Sequence, residues 1–587
     1  MRRGKRAISL ILCILILAVQ MSVAVCIPAA AESSAWAGSW GSAPIPTGIY
    51  LAGRRLSDFL IGSTVRTVVM TTLGGEKVRL KFSNRYGSGD LNITKVRIAR
   101  TSARSDTAII EGTSLPVTFG GSDSVSIPKG KTIYSDPVNM HVEQFEKLSI
   151  SSYFSSFTTM STGGLINAYS YIDPGDRTEA TSFIASSPLT INSGAITYNT
   201  TPFLCGLDTY GPGNSCIAWF GDSTLANESP YYLAEKLSLS GIKNVGVVQA
   251  AIIGNELLHS TYGVTNVSHL FGDAGLDRFP EDALNLAGVK TVFVKIGLND
   301  ILHPRSKSME GANYSAPTAD DIMDGYRKLV KMAHNKGLKI YFFGRQAWKG
   351  YARSFYGSEG TDLEWSQEAE DVMVTLNKWL ATGSPADGYI NVDALRDPTD
   401  KNRLYPPYTL DGAHLTPLGA QVLVDLIPDY FLANNTNLIS MRAYYESGRG
   451  DIRNYTPADK YPQKPTTAPS TAAPTTTAPP QQNNTTAPTV SATTAPTAPT
   501  TVVTVTNNAG AGMTEIILVE IPDDGTPFTP QDAVPMENLV PDAQLPQAPQ
   551  EGRSARTTIG VVIFAVLTTG VITFVVIYVM NKKNEAD

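Results

Sequence analysis

Two kinds of hydrophobic pattern divide the chain. From Trp36 to about Thr200, apolar and polar residues alternate with period two, as in Thr64-Val65-Arg66-Thr67-Val68-Val69-Met70-Thr71, Val78-Arg79-Leu80-Lys81-Phe82-Ser83 and Leu91-Asn92-Ile93-Thr94-Lys95-Val96-Arg97-Ile98. That period puts every second side chain on one face, the mark of strands with one wet side. Gly74-Gly75, Gly87-Ser88-Gly89-Asp90 and Gly120-Gly121 punctuate the runs as turns, and further strands are expected at Ser124 to Ile127 and Lys147 to Tyr153. No amphipathic helix intervenes, so this half reads as an antiparallel β-sandwich of jelly-roll type.

From Cys216 onward the pattern changes. Cys216 to Phe220, Asn244 to Gln249, Thr291 to Ile296 and Leu338 to Phe343 are short apolar runs, whereas Pro230 to Leu237, Ile322 to His334, Thr361 to Leu380 and Pro417 to Leu432 carry helical periodicity. Thr318 and Asp321 predict a cap for the helix that follows them. Strands buried on both faces and alternating with helices imply a parallel sheet covered on each side.

The ends of the chain carry different patterns again. Arg2, Arg3, Lys5 and Arg6 precede an apolar run from Ile8 to Ile27, and Ala29-Ala30-Ala31 supplies a small-residue cleavage pattern, so residues 1–31 read as a secretion signal. Beyond Tyr461 the composition shifts to Thr, Pro and Ala, which reads as an extended spacer. The acidic, proline-rich stretch to Arg556 that follows is expected to be mostly disordered, with one strand-like run at Glu515 to Glu520. Ile559 to Met580 is 22 residues without a charge, followed by Asn581-Lys582-Lys583. That length spans a bilayer core of about 30 Å and predicts a transmembrane helix with the globular part outside.

Charge adds an exclusion. Among 587 residues, 47 basic side chains nearly balance 53 acidic ones, which gives no footprint for nucleic acid. Of four cysteines, Cys13 and Cys26 leave with the signal. The remaining pair, Cys205 and Cys216, forms either a disulfide closing a short glycine-rich loop or two buried thiols. Neither they nor the scattered histidines have zinc spacing, so no metal and no cofactor are expected.

The chemistry gathers at the ends of the apolar runs. Cys216 to Phe220 stops on Gly221-Asp222-Ser223, a strand-to-helix loop of the kind where open α/β sheets keep their reactive groups. A serine nucleophile needs an imidazole, and six histidines are available. His414 stands out, because it lies in a loop leading into the last helix with Asp411 three residues before it. Asp411 can hold Nδ1–H and leave Nε2 free for the Ser223 proton. Thr291 to Ile296 runs into Gly297-Leu298-Asn299-Asp300, bringing the Asn299 amide to the same rim, and Asn244 to Ala251 runs into Ile252-Ile253-Gly254-Asn255, where Gly254 can present its N–H.

Taken together, Gly221-Asp222-Ser223, Gly254, Gly297-x-Asn299-Asp300 and Asp411-x-x-His414 resemble, in order and spacing, the four sequence blocks of the SGNH hydrolases, also called the GDSL family. Trp36-Ala37-Gly38-Ser39-Trp40, Val78 to Asn84 and Val117 to Gly121 are similar to the β-sandwich of its two-domain, arylesterase-like or acylhydrolase-like secreted members. The resemblance covers about Trp36 to Leu432. It implies an α/β, three-layer, flavodoxin-like hydrolase domain with a parallel sheet, preceded by an all-β jelly-roll-like sandwich. It implies Ser223 as nucleophile, His414 as base and Asp411 as its orienter, with the Ser223 and Gly254 N–H groups and the Asn299 side chain as oxyanion hole. Thr224-Leu225-Ala226-Asn227 and Ile253 depart from the common family pattern at the pocket wall, which bears on acyl and alcohol preference.

The expected layout is therefore a signal peptide at 1–31, a β-sandwich at 32–204, a hydrolase domain at 205–445, a linker at 446–556, a transmembrane helix at 557–580 and a cytoplasmic tail at 581–587. The expected activity is that of a cell-surface serine esterase on short-chain acyl esters, with O-acetylated carbohydrate as partner and a membrane held through the C-terminal helix. The competing readings are a non-catalytic glycan-binding surface protein, or a lipid acylhydrolase or thioesterase of the same mechanism. Arg345 to Lys349 and Arg403 to Tyr408, which mix aromatics with hydrogen-bonding groups, are expected to face a sugar.

Overall fold

A computed structural model describes residues 34–448, apart from 48, 52–53, 57–58, 166–167, 185, 194–195, 262–267, 306–314, 352–364 and 434–437, and beyond them 500–506, 514–520, 558–568 and 571–581. The signal expected at 1–31 and most of the linker expected at 446–556 lie outside the described residues.

In the N-terminal part most of the alternating runs fall into two large antiparallel sheets, with Leu91–Ile93 and Val125–Ile127 pairing apart from them. One orders Ser34–Gly41, Leu204–Pro212, Lys77–Ser83 and Thr132–Tyr134; the other is built on Lys95–Ser102, Lys147–Phe154, Ser63–Met70 and Ala168–Pro174. Their inward residues, among them Trp40, Val69, Leu80, Phe82, Ile98, Ile150 and Phe154, make one buried cluster. The strand Leu204–Pro212, which the sequence reading puts at the head of the hydrolase part, is hydrogen-bonded into this sandwich, from Ser34–Pro212 to Gly41–Gly206 on one side and against Lys77–Ser83 on the other. Its pairing with strands on both sides, not its burial pattern, assigns it to the sandwich.

Five parallel strands follow: β1 (Ser215–Gly221), β2 (Val245–Ala251), β3 (Val289–Lys295), β4 (Lys339–Phe343) and β5 (Gly388–Ile390), in spatial order β2-β1-β3-β4-β5. Each strand feeds both faces. Ala218, Phe220, Val292, Val294, Ile340 and Phe342 pack with α2 (Ala319–Asn335) and α3 (Gln367–Thr382). Ile217, Trp219, Phe293, Tyr341 and Phe343 pack with α1 (Ser229–Leu239) and α4 (Pro417–Asp425). This double burial is why the strands read as unbroken apolar runs. The Thr318 hydroxyl accepts from the Asp321 N–H while the Asp321 carboxylate accepts from Thr318, closing a capping box on α2. Pro428 interrupts the helix expected from Pro417 to Leu432, leaving α4 and a short turn at Asp429–Leu432.

The sandwich covers β2, one edge of the parallel sheet, and the residues leading into β3. Gly38 N–H reaches Ala287 O at 3.0 Å, and Val247 N–H reaches the Thr72 hydroxyl at 2.9 Å. Arg85 bridges to Asp273 at 2.6 Å and Asp282 at 3.2 Å. Such cover removes an unpaired strand edge from solvent.

The cysteine alternatives resolve as free thiols: Cys205 donates to Lys81 O at 3.4 Å and Cys216 to Ala287 O at 3.2 Å. Each lies on a strand of a different sheet, and burial pushes both thiols up to about 12.

Past Ala468 the chain forms a second unit. Thr500–Thr506 pairs antiparallel with Thr514–Glu520, and Thr558–Thr568 pairs antiparallel with Val571–Asn581. Two expectations are corrected here. The strand-like run expected at Glu515 to Glu520 is a strand, but the linker holds a second one at Thr500–Thr506, and the apolar stretch expected as a transmembrane helix at 557–580 is a pair of strands. Composition supplies the reason. Every residue of Thr500–Thr506 is Val or Thr, and seven of the eleven residues in each of the last two strands are Val, Ile or Thr, whose branching at Cβ favours extended backbone. Among the described residues no helix is long and apolar enough to cross a membrane.

Candidate active site

Neighbouring β1 and β3 send their outgoing connections in opposite directions, because β2 lies on one side and β4 and β5 on the other. The crevice at the carboxyl ends of two such strands is where an open α/β sheet receives ligands. Gly221 closes β1. A Cβ there would stand 2.3 Å from Lys295 O, so only glycine lets the two strand ends run this close. The Asp222 N–H continues the contact to Lys295 O at 3.1 Å, and Ser223 emerges half-buried between buried Asp222 and Thr224.

The His414 loop meets it from the other side. Ser223 Oγ lies 2.9 Å from His414 Nε2, and His414 Nδ1 lies 2.7 Å from Asp411 Oδ2. Asp411 Oδ1 also accepts the N–H groups of Ala413 and His414, at 3.0 and 2.8 Å. Burial alone would raise the Asp411 carboxyl. The bonds from the imidazole and the two backbone groups outweigh it and hold the carboxyl below its ordinary range. The carboxylate is thus kept ionised beside the ring, which fixes Nδ1 as the protonated nitrogen and leaves Nε2 to accept. Tyr351 packs edge-on against the ring, centroids 5.7 Å apart.

The other two sequence-predicted residues sit at the ends of β2 and β3. Gly254 has φ +63°, and a Cβ on it would be 2.3 Å from the Phe271 ring, so this turn accepts no larger residue without movement. The Asn299 amide donates to Asn255 O at 3.0 Å, which uses one of its two hydrogens and ties the β3 loop to the β2 loop. Ile252 N–H in turn reaches Gly221 O at 3.0 Å. Ser223, Gly254, Asn299, Asp411 and His414 therefore lie on four loops at one rim, joined by short chains of hydrogen bonds.

Sequence reasoning missed what holds these loops. Arg278, fully buried, sends Nε to Asn255 Oδ1 at 2.9 Å, Nη1 to Ala250 O at 2.7 Å and Nη2 to Gly221 O at 2.8 Å, with the Phe220 ring 4.1 Å beneath it. In the stretch Leu276-Asp277-Arg278-Phe279 nothing local marks it. Lys295, a charged residue inside the apolar run of β3, was a visible signal. The segment Arg345 to Trp348, expected to face a sugar, is interior: Arg345 donates to Ile296 O and Phe343 O, Gln346 donates to Ala413 O, and Trp348 packs in the core. Only the end of that run and its neighbours reach solvent: Lys349 pairs with Asp400 at 3.3 Å and sits over Trp365, and Tyr405 is exposed.

Glu256, His259 and Asp300 bring potential ligand atoms within 4.8 Å of one another, a grouping the sequence reading did not single out. Asp300 spends both oxygens on the N–H groups of Leu257 and Leu258, at 2.7 and 2.9 Å, and Glu256 meets His303 Nδ1 at 2.6 Å. Burial first, and the Glu256 charge second, push the Asp300 carboxyl up to about 7. These bonds brace the β2 and β3 loops against each other.

Residues 209–422 match the family described as GDSL-like Lipase/Acylhydrolase. No curated protein matches the chain. Among solved structures the chain is similar to a GDSL-like lipase from Bacteroides thetaiotaomicron, with 17% identity over 37% of this chain and 88% of that one and a TM-score of 0.27. It is also similar to a catalytic mutant of an acetylxylan esterase from Geobacillus stearothermophilus, with 17% identity over 37% and 94% and a TM-score of 0.26.

Proposed function

Residues 209–422 are a GDSL-like lipase/acylhydrolase domain of the SGNH kind, and from that premise we propose that the protein is a serine esterase working outside the cell on short-chain acyl esters, with O-acetylated carbohydrate as its substrate class. The observation that carries the reading is the unbroken chain Asp411, His414, Ser223, at 2.7 and 2.9 Å. In it, His414 Nε2 takes the Ser223 proton as Oγ attacks the ester carbonyl, and Asp411 stabilises the imidazolium that forms. The oxyanion is received by the Ser223 and Gly254 N–H groups and the remaining Asn299 N–H. His414 then returns its proton to the departing alkoxide, and a water deprotonated by the same nitrogen releases the acid from the acyl-serine.

The substrate class rests on the rim. Lys349, Arg403 and Tyr405 belong to the two loops that flank His414, and their charged, aromatic and hydrogen-bonding groups suit a hydroxylated alcohol portion. Location outside the cell rests on the basic, apolar and Ala-Ala-Ala succession of residues 1–31, and is checked by finding the processed N-terminus in the extracellular or surface fraction.

Ser223→Ala should lower kcat on p-nitrophenyl acetate by at least about 10³-fold with the fold intact. Wild-type protein should release acetate from an acetylated polysaccharide, with kcat/KM falling from acetyl to octanoyl esters. Near-native turnover by the alanine variant would remove Ser223 as nucleophile, and a preference for octanoyl with no acetate released from any glycan would favour a lipid substrate.

A further inference from the structure

Lys295 is the last residue of β3 and is buried between Val294 and Ile296, where an apolar side chain would be expected. Its Nζ donates to Thr224 Oγ1 at 2.5 Å and to Gln346 Oε1 at 2.6 Å. Both bonds use a lysine hydrogen, so Thr224 Oγ1 and Gln346 Oε1 are the acceptors in them. The Thr224 hydroxyl, accepting from Lys295, passes its own hydrogen to Asp222 Oδ1 at 2.6 Å, and the same oxygen takes the Thr224 N–H at 2.9 Å. Gln346, presenting its oxygen to Lys295, turns its NH2 toward Ala413 O. One arm therefore ends on the two residues that flank Ser223, and the other on the residue just before His414. Asp222, Thr224, Lys295 and Gln346 are all buried.

We propose that Lys295 is a positioning residue that clamps the Ser223 loop to the His414 loop from beneath, through Thr224 on one arm and Gln346 on the other. The inference rests on the serine esterase reading and deepens it. Above the clamp the loops touch through the 2.9 Å bond between Ser223 Oγ and His414 Nε2, and both of those side chains are partly open to water. A bond of that kind is easily exchanged for one to solvent, so the spacing has to be set from below. A buried cation is costly unless paired and hydrogen-bonded. Asp222, reached through a single hydroxyl, supplies the opposite charge. Desolvation pulls the lysine well below its ordinary range, Asp222 opposes that, and Arg345 adds to it. Proton transfer between oxygen and nitrogen tolerates little displacement, so slack in the clamp should appear in the chemical step and not in substrate binding.

The test uses the full chain. Lys295→Met nearly preserves volume and removes the donors. It should lower kcat on p-nitrophenyl acetate by about 10²-fold with little change in KM, and slow labelling of Ser223 by a fluorophosphonate by a similar factor. Thr224→Val and Gln346→Met each cut one arm and should each show part of the loss, adding little when combined with Lys295→Met because they act as one unit. Lys236→Met is the control. It removes another buried lysine, paired with Asp425 at 3.2 Å, which touches neither loop, and it should keep near wild-type kcat. Near-native kcat in Lys295→Met, strictly multiplicative losses in the combined variants, or an equal loss in Lys236→Met would overturn the clamp. If Lys295→Met does not fold, unchanged kcat in both single-arm variants would overturn it. Wild-type protein that neither hydrolyses esters nor labels at Ser223 would take down the esterase reading and the clamp with it.

Discussion

Replacing Arg278 by methionine should destabilise the protein by about 3 kcal/mol and loosen the catalytic rim at the same time. The magnitude follows from what the guanidinium serves. It gives one hydrogen bond each to Gly221 O, Ala250 O and Asn255 Oδ1; Gly221 O keeps the Ile252 N–H, but each hydrogen bond lost from a charged donor costs roughly 1 kcal/mol or more. Its Asp282 contact, at 3.3 Å, is shared with Arg85 at 3.2 Å, so that carboxylate keeps a cation. The total thus falls near the lower end of the roughly 3–5 kcal/mol seen when one partner of a buried pair is removed. Burial lowers the guanidinium to about 10 and Asp282 opposes it, which leaves Arg278 charged at neutral pH. Urea unfolding followed by tryptophan fluorescence measures the loss, and kcat on p-nitrophenyl acetate, taken well below the unfolding midpoint, measures the effect on the rim. Arg278→Lys should recover little, because a lysine has no fork with which to serve three acceptors on three segments. A loss below about 1 kcal/mol in Arg278→Met would refute the reasoning, since the three carbonyls would then have been satisfied some other way.

Gly254→Ala must adopt φ +63°, at a cost of about 1–2 kcal/mol, and push its methyl into the Phe271 ring. It should lower kcat by about 10²-fold through displacement of the β2 loop, and unchanged kcat would exclude Gly254 from the oxyanion hole. Cys205 and Cys216 should resist iodoacetamide in the native protein and react without reductant once it is unfolded; a need for reductant would contradict the free thiols. The Asp300 carboxyl, raised from 3.8 to about 7, holds a proton between those values that the unfolded chain has released. Its stabilisation is therefore complete below about pH 4, falls as pH rises, and is gone above about pH 7, a span of roughly 4 kcal/mol. Asp300→Asn should flatten unfolding free energy across that window, and an unaltered slope would show that Asp300 does not titrate there.

Local chemistry alone was enough for much of this protein. Period-two alternation marks the sandwich strands because one side of each meets water. The apolar runs ending on Gly221, Gly254 and Gly297 mark strands buried on both faces, and Asp411-x-x-His414 is legible because a tight loop brings the carboxylate back to its own imidazole. The Thr318 and Asp321 box is equally local. Tertiary structure decided whatever depends on partners distant in sequence. The order β2-β1-β3-β4-β5 arises from pairing among strands that are equally apolar, and it alone puts the Ser223 and Asn299 loops on neighbouring strands. Leu204–Pro212 joins the sandwich because its mates are Ser34–Gly41 and Lys77–Ser83, far back in the chain. Gln346 reads as surface chemistry, nothing local marks Arg278, and Lys295 stands out in its apolar run without its partners being legible, until the fold surrounds all three with carbonyls and hydroxyls drawn from other segments. The apolar stretch from Ile559 to Met580 marks the boundary between the two cases. Its length and lack of charge fit a helix, its Cβ branching fits strands, and antiparallel pairing between its own halves, which no periodicity within the run encodes, decides between them.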